Sequence, residues 1–379
     1  MDNTEKICVY AICKNESKFI DRWVKSLQNE ADYVVVLDTG SDDDSVEKLK
    51  KYEPFVKVEQ FDYFSKLGYF RFDKARNDSL RLVPFDTDIC IVLDIDQVPR
   101  KGWADILRNR FKEGYNDIRG FIVDHDEEGN ITNQWQSKNV HNNSSFWVWD
   151  RIIHEGIDYY GNKEDVKMIF DENFIIDHYP DQKKDRSLYM KLLNYAVETY
   201  PTDAYYGIYH GIELSARYSR QEAAESFRRC LRECNFDNDI EIMYQIYINL
   251  AITTDDFDEA IASLYEAKEL DIDTRRLYNT MADIYEENGR IDEAIKALET
   301  ALTIHSNSND WREDANLYNG LIEDRLSLFY YYQKQDYLKA IEYSIKAMRI
   351  NPHDERLINN YKFFSEKYLE TMKGNEDNE

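Results

Sequence analysis

Glycine and proline are scarce in this chain of 379 residues, at 13 and 6. That excludes collagen-like repeats and flexible low-complexity tracts, and it favours long uninterrupted elements. Basic charge is also short: 48 Lys and Arg face 74 Asp and Glu, a net charge of −26. Such a chain has no electrostatic reason to bind DNA, RNA or an anionic membrane, so no nucleic-acid partner is expected. An acidic protein that handles phosphates usually needs a metal ion to offset the repulsion. Long apolar runs are missing too. The first, Ile7–Cys13, stops at Lys14 and reads as a buried strand, too short for a targeting segment or a membrane span. The cysteines, Cys8, Cys13, Cys90, Cys230 and Cys234, are odd in number and contain no C-x-x-C pair. They read as buried free thiols in a reducing compartment, and the expected location is the cytoplasm.

What is present describes a soluble globular chain, with 42% hydrophobic and 32% charged residues. At roughly 100–200 residues per domain, two or three domains are expected. Up to about residue 180, short β-rich runs alternate with helical stretches. Ile7–Cys13, Tyr33–Leu37, Val56–Phe61 and Ile89–Leu93 read as strands. Phe19–Asn29, Ser45–Lys51, Phe72–Leu82 and Trp103–Phe111 read as helices. This alternation predicts an α/β fold with a mostly parallel sheet covered on both faces. Beyond about 118 the runs Gly120–Asp124, Phe146–Ile153 and Phe174–Asp177 read as strands without intervening helices.

From about 185 the chain reads as helical, and a repeat emerges. Ala196, Cys230, Ala267, Ala301 and Ala347 stand 34, 37, 34 and 46 residues apart. Seven residues before the last four lie Ala223, Ala260, Ala294 and Ala340. Phe257, Ile291 and Tyr337 precede three of these, and Pro201 and Pro352 follow Ala196 and Ala347. A period near 34 residues, with small residues where two helices cross, is the pattern of the tetratricopeptide repeat. The long step holds His305–Asp314, a polar insertion that reads as a loop. The expected organisation is an α/β domain over 1–184, an all-α repeat solenoid over 185–373, and a disordered tail over 374–379.

The chemistry concentrates at strand ends. Ile89-Cys90-Ile91-Val92-Leu93 leads into Asp94-Ile95-Asp96. In an open α/β sheet, ligands bind beyond the carboxyl ends of the strands. Two aspartates there repel each other unless something positive sits with them, and a hard divalent cation is a natural partner. A second buried strand ends in Asp38-Thr39-Gly40-Ser41, followed by Asp42, Asp43 and Asp44, one of which can cap a helix. The first ends in Lys14-Asn15-Glu16. Three strands therefore deliver polar groups to one rim.

Four segments jointly carry a family resemblance: Ala11-Ile12-Cys13-Lys14-Asn15-Glu16, Val36-Leu37-Asp38-Thr39-Gly40-Ser41, Lys74-Ala75-Arg76-Asn77 and Leu93-Asp94-Ile95-Asp96. With them, the first 180 residues resemble a family 2 glycosyltransferase of the GT-A fold. Ile153-His154-Glu155 and Asp177-His178-Tyr179 resemble later motifs of that family. Fusion to tetratricopeptide repeats is similar to the branch of sublancin-type peptide S-glycosyltransferases, which put sugars on cysteine. The resemblance implies a nucleotide-sugar pocket around Ala11, Cys13, Asn15, Glu16, Asp38, Arg76, Asn77, Asp94 and Ile95. Asp38 matches the acid that hydrogen-bonds uracil of a UDP-sugar, and Asp94 the acid near ribose and metal. Asp96 matches the ligand of Mn²⁺ or Mg²⁺ on the diphosphate, with Asp94 beside it and His154 as a further metal candidate.

One position departs from the family: Gln97 stands where many relatives carry an acid. The matched motifs also contain no clear catalytic base, for which Asp124, Asp126, Glu155 and His154 are candidates. His154 and His178 are equally open to structural roles. Trp135, Trp147 and Trp149 offer faces for sugar stacking or core packing. The expected activity is metal-dependent, inverting transfer from a UDP-sugar to a peptide or protein acceptor, with cysteine as one candidate. The repeat region would bind that acceptor or a second copy of the chain. A cell-surface glycan acceptor is the rival. A degenerate scaffold and a nucleotidyltransferase are the other classes, the last disfavoured because the first strand lacks a Gly-rich phosphate loop.

Overall fold

The structure, a computed structural model, describes residues 5–181, 187–236, 239–305 and 315–376. The chain divides into two compact units, Met1–Leu192 and Leu193–Glu379.

The first unit is built on β1 (Ile7–Cys13), β2 (Tyr33–Asp38), β3 (Val56–Gln60) and β4 (Ile89–Val92), paired in parallel in the order β3-β2-β1-β4. Every residue of β4 is buried, and all of β1 except Ile12. That is why these strands read as continuous apolar runs rather than alternating ones. The helices α1 (Ile20–Leu27), α2 (Ser45–Lys50), α3 (Tyr63–Leu67), α4 (Phe72–Leu80) and α5 (Trp103–Lys112) fall in the connections. In α1, Ile20, Trp23, Val24 and Leu27 are buried, one helical face. Each such side chain contributes about 1.5–3 kcal/mol, against about 1 kcal/mol for a good cap. Packing therefore holds α1, whose N-cap residue Phe19 makes no side-chain cap.

The sheet continues through β5 (Gln97–Pro99), β6 (Asp117–His125), β7 (Ile131–Gln136), β8 (Val140–Asn142) and β11 (Met168–His178), in the full order β3-β2-β1-β4-β8-β6-β11-β5 with β7 on β6. β9 (Trp147–Asp150) and β10 (Gly156–Tyr159) form a separate antiparallel pair. Three differences from the expected strands have local causes. The strand expected over Phe146–Ile153 ends at Asp150, because Arg151 (φ 66°) and His154 (φ 51°) adopt left-handed backbone that no strand accepts. The strand β7 has mostly exposed side chains, so its run shows no apolar alternation. The last strand starts at Met168 rather than near Phe174, with a register shift between Phe170 and Ile175.

The register sets the rim. Cys13 lies opposite Asp38, and Tyr10 opposite Val92, so the carboxyl ends of β1, β2 and β4 emerge together.

The helix α6 (Ser187–Thr199) spans the division between the units. The second unit continues with α7 (Ala204–Arg217), α8 (Arg220–Glu233), α9 (Ile240–Thr253), α10 (Phe257–Glu269), α11 (Arg275–Glu287), α12 (Ile291–Leu302), α13 (Leu321–Tyr332), α14 (Tyr337–Ile350) and α15 (Glu355–Glu376). The aligned small residues sit on α6, α8, α10, α12 and α14, each at most 2% exposed. They are the points where helix axes approach closely. Of the expected insertion His305–Asp314, residues 306–314 lie outside the described residues. So do 377–379 of the expected tail, while 374–376 belong to α15. All five cysteines are free, but Cys234 is only partly buried, unlike the other four.

Gly120 on β6 allows the close pass of β11: a Cβ there would lie 2.0 Å from the Phe174 carbonyl oxygen. Backbone cannot yield as a side chain does. Gly120→Ala is expected to cost about 1–3 kcal/mol, as for an overpacked core. Urea unfolding measures it, and an unchanged midpoint would mean that β11 shifts freely.

Candidate active site

The turn after β4 carries Asp94 and Asp96, and each has its own positive partner. The Arg76 Nη2 donates to Asp94 Oδ1 at 2.5 Å. The His178 Nε2 lies 3.4 Å from Asp96 Oδ2, while its Nδ1 meets Asp124 Oδ1 at 2.6 Å. Burial works against a charged imidazole, but hydrogen bonds with Asp124 and Asp96 overcome it and raise His178 to about 10. The protein thus supplies the charge that two neighbouring aspartates require. Gln97 shapes the same turn: its Oε1 accepts from the Asp94 backbone N–H at 3.1 Å, and its own N–H donates to the Asp94 carbonyl at 2.9 Å. A side-chain acceptor is what this turn uses at position 97.

A cavity of about 430 Å³ opens here. Its wall includes Asp94, Gln97, Trp135, Lys138, His154 and Glu155, with Arg76 among them. Arg76 comes from α4, and its Nε donates to Glu155 Oε1 at 3.0 Å. One guanidinium therefore joins Asp94 to Glu155, from segments 61 residues apart in sequence. Burial opposes the Arg76 charge, yet the two carboxylates hold it above its usual range. Burial lifts the Glu155 carboxyl above the ordinary glutamate value, with Arg76 pulling the other way. The Arg76 Nη1 is buried without a hydrogen-bond partner, and Cζ lies 5.3 Å from the Trp149 ring centre, so a cation–π contact replaces it.

Glu155 and His154 sit on the loop between β9 and β10, which is pinned three times. The Phe72 N–H donates to the Ile152 carbonyl at 3.1 Å, Arg76 takes Glu155, and the Tyr189 hydroxyl meets His154 Nε2. These anchors hold the left-handed His154 in place. Tyr189 was not legible as a site residue, because nothing in its sequence surroundings marks it.

The remaining expected residues divide. Asp38 is 1% exposed, and its carboxylate accepts from the Gly40 and Ser41 N–H groups at 3.1 Å each and from the Ser41 hydroxyl. The Asn15 N–H donates to Ser41 Oγ and the Glu16 N–H to Ser45 Oγ, both at 2.9 Å, tying the ends of β1 and β2 together. Ala11, Cys13 and Ile95 are buried in the core, so any contact they offer a ligand is through backbone. Asn77 is committed elsewhere: its amide brackets the Trp149 backbone, donating at 2.6 Å and accepting at 3.0 Å. Asp126 is not at the cavity. It closes the β6–β7 turn on Asn130, which holds its carboxyl below the usual range. Asp124 is taken by His178. His154 is not gathered with both aspartates, and among the described residues no three His, Cys, Asp or Glu side chains form a metal-holding group. Trp135 lines the cavity edge-on to His178 at 6.1 Å, and Trp149 lines it too, whereas Trp147 packs in the core.

A parallel sheet whose carboxyl ends carry paired aspartates beside a polar cavity defines an α/β domain with its candidate ligand site at the strand ends. Residues 8–176 match the family described as glycosyl transferase family 2, and residues 276–307 match the tetratricopeptide repeat. The chain is a glycosyltransferase: a family 2 domain of the GT-A arrangement, followed by a tetratricopeptide solenoid. Similar solved structures include a MamA protein, 17% identical over 44% of this chain and 83% of its own, with a TM-score of 0.35. Another is a thermophilic TPR protein of Thermus thermophilus, 16% identical over 46% of this chain and 88% of its own, with a TM-score of 0.31. No curated protein matches the chain significantly. Among the described residues no helix is long and apolar enough to cross a membrane.

Removing Arg76 leaves the buried Glu155 unpaired. Arg76→Met is expected to lower the unfolding free energy by about 3–5 kcal/mol, nearly all through Glu155. Asp94, 41% exposed, contributes little. Arg76→Lys keeps the charge but loses the fork, and should fall between. Denaturant titration of the three proteins decides it; a neutral Arg76→Met would show that the pairing holds nothing.

Proposed function

We propose that this glycosyltransferase moves a sugar from a UDP-sugar to a peptide or protein side chain, cysteine among the candidates, with a divalent cation and with inversion. The observation that carries the reading is the shared guanidinium of Arg76, 2.5 Å from Asp94 and 3.0 Å from Glu155 on one cavity wall. Inversion by direct displacement needs a base on the face of the sugar opposite the leaving group. Asp94 and Glu155 take different nitrogens of the Arg76 guanidinium, and in this reading Asp94 serves the donor and Glu155 the acceptor. Of the carboxylate base candidates, Asp126 is a turn residue and Asp124 serves His178, which leaves Glu155.

The roles follow the family resemblance. Asp38 receives the uracil end, Asp94 the ribose, and Asp96 the cation. The donor set suits Mn²⁺ or Mg²⁺, which are held by one or two carboxylates plus substrate phosphates and need no preformed cage of protein ligands. Such an ion would neutralise the leaving diphosphate. Glu155 takes the acceptor proton, while Trp135 and His154 wall the cavity. Because burial raises its carboxyl, Glu155 is an active base only above the ordinary glutamate range, so transfer slows as pH falls through that raised value. The peptide acceptor is supported by the tetratricopeptide repeats, whose concave faces commonly bind extended chains.

Calorimetric titration of UDP with and without Mn²⁺ tests the donor site. Binding should tighten with Mn²⁺ and lose that gain in Asp96→Ala. Glu155→Gln should still bind UDP, its affinity changing far less than its transfer rate, which should fall about 10²–10⁴-fold, read by intact mass of a co-expressed peptide. UDP binding under neither condition would favour the scaffold reading, and full activity of Glu155→Gln would remove the base assignment.

A further inference from the structure

Cys230 occupies the one repeat position where the other aligned residues are alanine, so packing alone does not call for sulfur there. On α8 its Sγ lies 3.2 Å from Sγ of Cys234. Four residues along a helix separate Cα atoms by about 6 Å, inside the usual range for a disulfide. Cys234 is the C-cap residue, with extended backbone (φ −80°, ψ 148°), so its side chain is free of the helical direction. Space for the sulfurs is made by Gly207 on α7: a Cβ there would sit 2.5 Å from the Cys230 sulfur. The two thiols differ in access. Cys230 is buried, whereas Cys234 is partly exposed. The Cys230 S–H donates to Cys234 and, against burial, holds that thiol below its ordinary value with Arg229 adding to the effect, while the same bond and burial hold Cys230 well above its own.

The three cysteines of the sheet contrast with this pair. Cys8 and Cys90 lie opposite each other on β1 and β4, but both are 0% exposed. Burial pushes Cys13 and Cys90 up to about 12, and Cys8 also rises well above its usual value. Their thiolates are neither formed nor reachable.

We propose that Cys230 and Cys234 form a thiol-oxidation site, converted to an intrahelical disulfide by a low-molecular-weight disulfide such as oxidised glutathione. The Cys234 thiolate attacks one sulfur of oxidised glutathione, forming a mixed disulfide and releasing one glutathione thiolate. The Cys230 thiol loses its proton to solvent and attacks the Cys234 sulfur, releasing the second glutathione. The protein gives up two electrons, and one oxidised glutathione becomes two reduced ones. Reduced glutathione reverses the same exchange and returns both thiols. The site is independent of the sugar-transfer chemistry.

The full chain, incubated natively with oxidised glutathione, is alkylated and mapped by mass spectrometry. The expected product retains three free thiols of the original five, with Cys230 and Cys234 linked, and returns to five on reduction. Cys234→Ser should leave Cys230 free and unmodified, and Cys230→Ala, which restores the repeat's alanine, should stop Cys234 at the glutathione adduct. Circular dichroism confirms that both variants fold. Five free thiols after an exposure that oxidises free dithiothreitol would overturn the proposal, as would a link involving Cys8, Cys13 or Cys90. A Cys234 adduct persisting in the unmutated protein would also contradict it.

Discussion

A buried guanidinium held between two carboxylates is the interaction on which the cavity depends. Arg76 cannot leave α4 without stranding Glu155, and Glu155 cannot move without dragging the loop between β9 and β10. That loop bears two left-handed non-glycine residues, Arg151 and His154. Such backbone persists only where the surroundings over-determine it. Here they do, through Phe72, Arg76 and Tyr189. The same guanidinium fixes Asp94 at the end of β4, so the carboxyl rim of the sheet and the loop opposite share one anchor.

The acidic rim is made tolerable from within. Repulsion between Asp94 and Asp96 is relieved by Arg76 on one and His178 on the other. The need for positive charge, read from the sequence as a need for metal, is thus met in part by side chains that arrive from α4 and β11. A cation bound with a nucleotide diphosphate would find carboxylates already oriented by these partners rather than free to turn. Preorganisation of this kind lowers the cost of ordering the site when ligand binds.

Much of this was legible because buried parallel strands betray themselves. The runs that became β1, β2 and β4 are continuous apolar stretches, and the aspartates that follow mark their ends. The repeat was legible for a similar reason: only small side chains fit where helices cross, and Ala260, Ala294 and Ala340 recur on schedule. What stayed hidden depends on contacts across sequence. Nothing near Arg76 announces Glu155, 79 residues away, or tells that Asn77 clamps the Trp149 backbone. The strand β7 escaped because its exposed side chains follow no period. Asp126 could have been set aside earlier, since Asp126-Glu127-Glu128-Gly129-Asn130 reads as a turn. His178 was ambiguous until β6 and β11 brought Asp124 beside it.

The central claim is that Asp94 and Glu155 act as one unit through Arg76. A double-mutant cycle between Asp94→Asn and Glu155→Gln, read as the change in UDP affinity in the presence of Mn²⁺, tests it most directly. Coupling of at least about 0.5 kcal/mol is expected, because each substitution alters the pairing the other relies on. Effects that add within experimental scatter would show two independent carboxylates and would contradict the account.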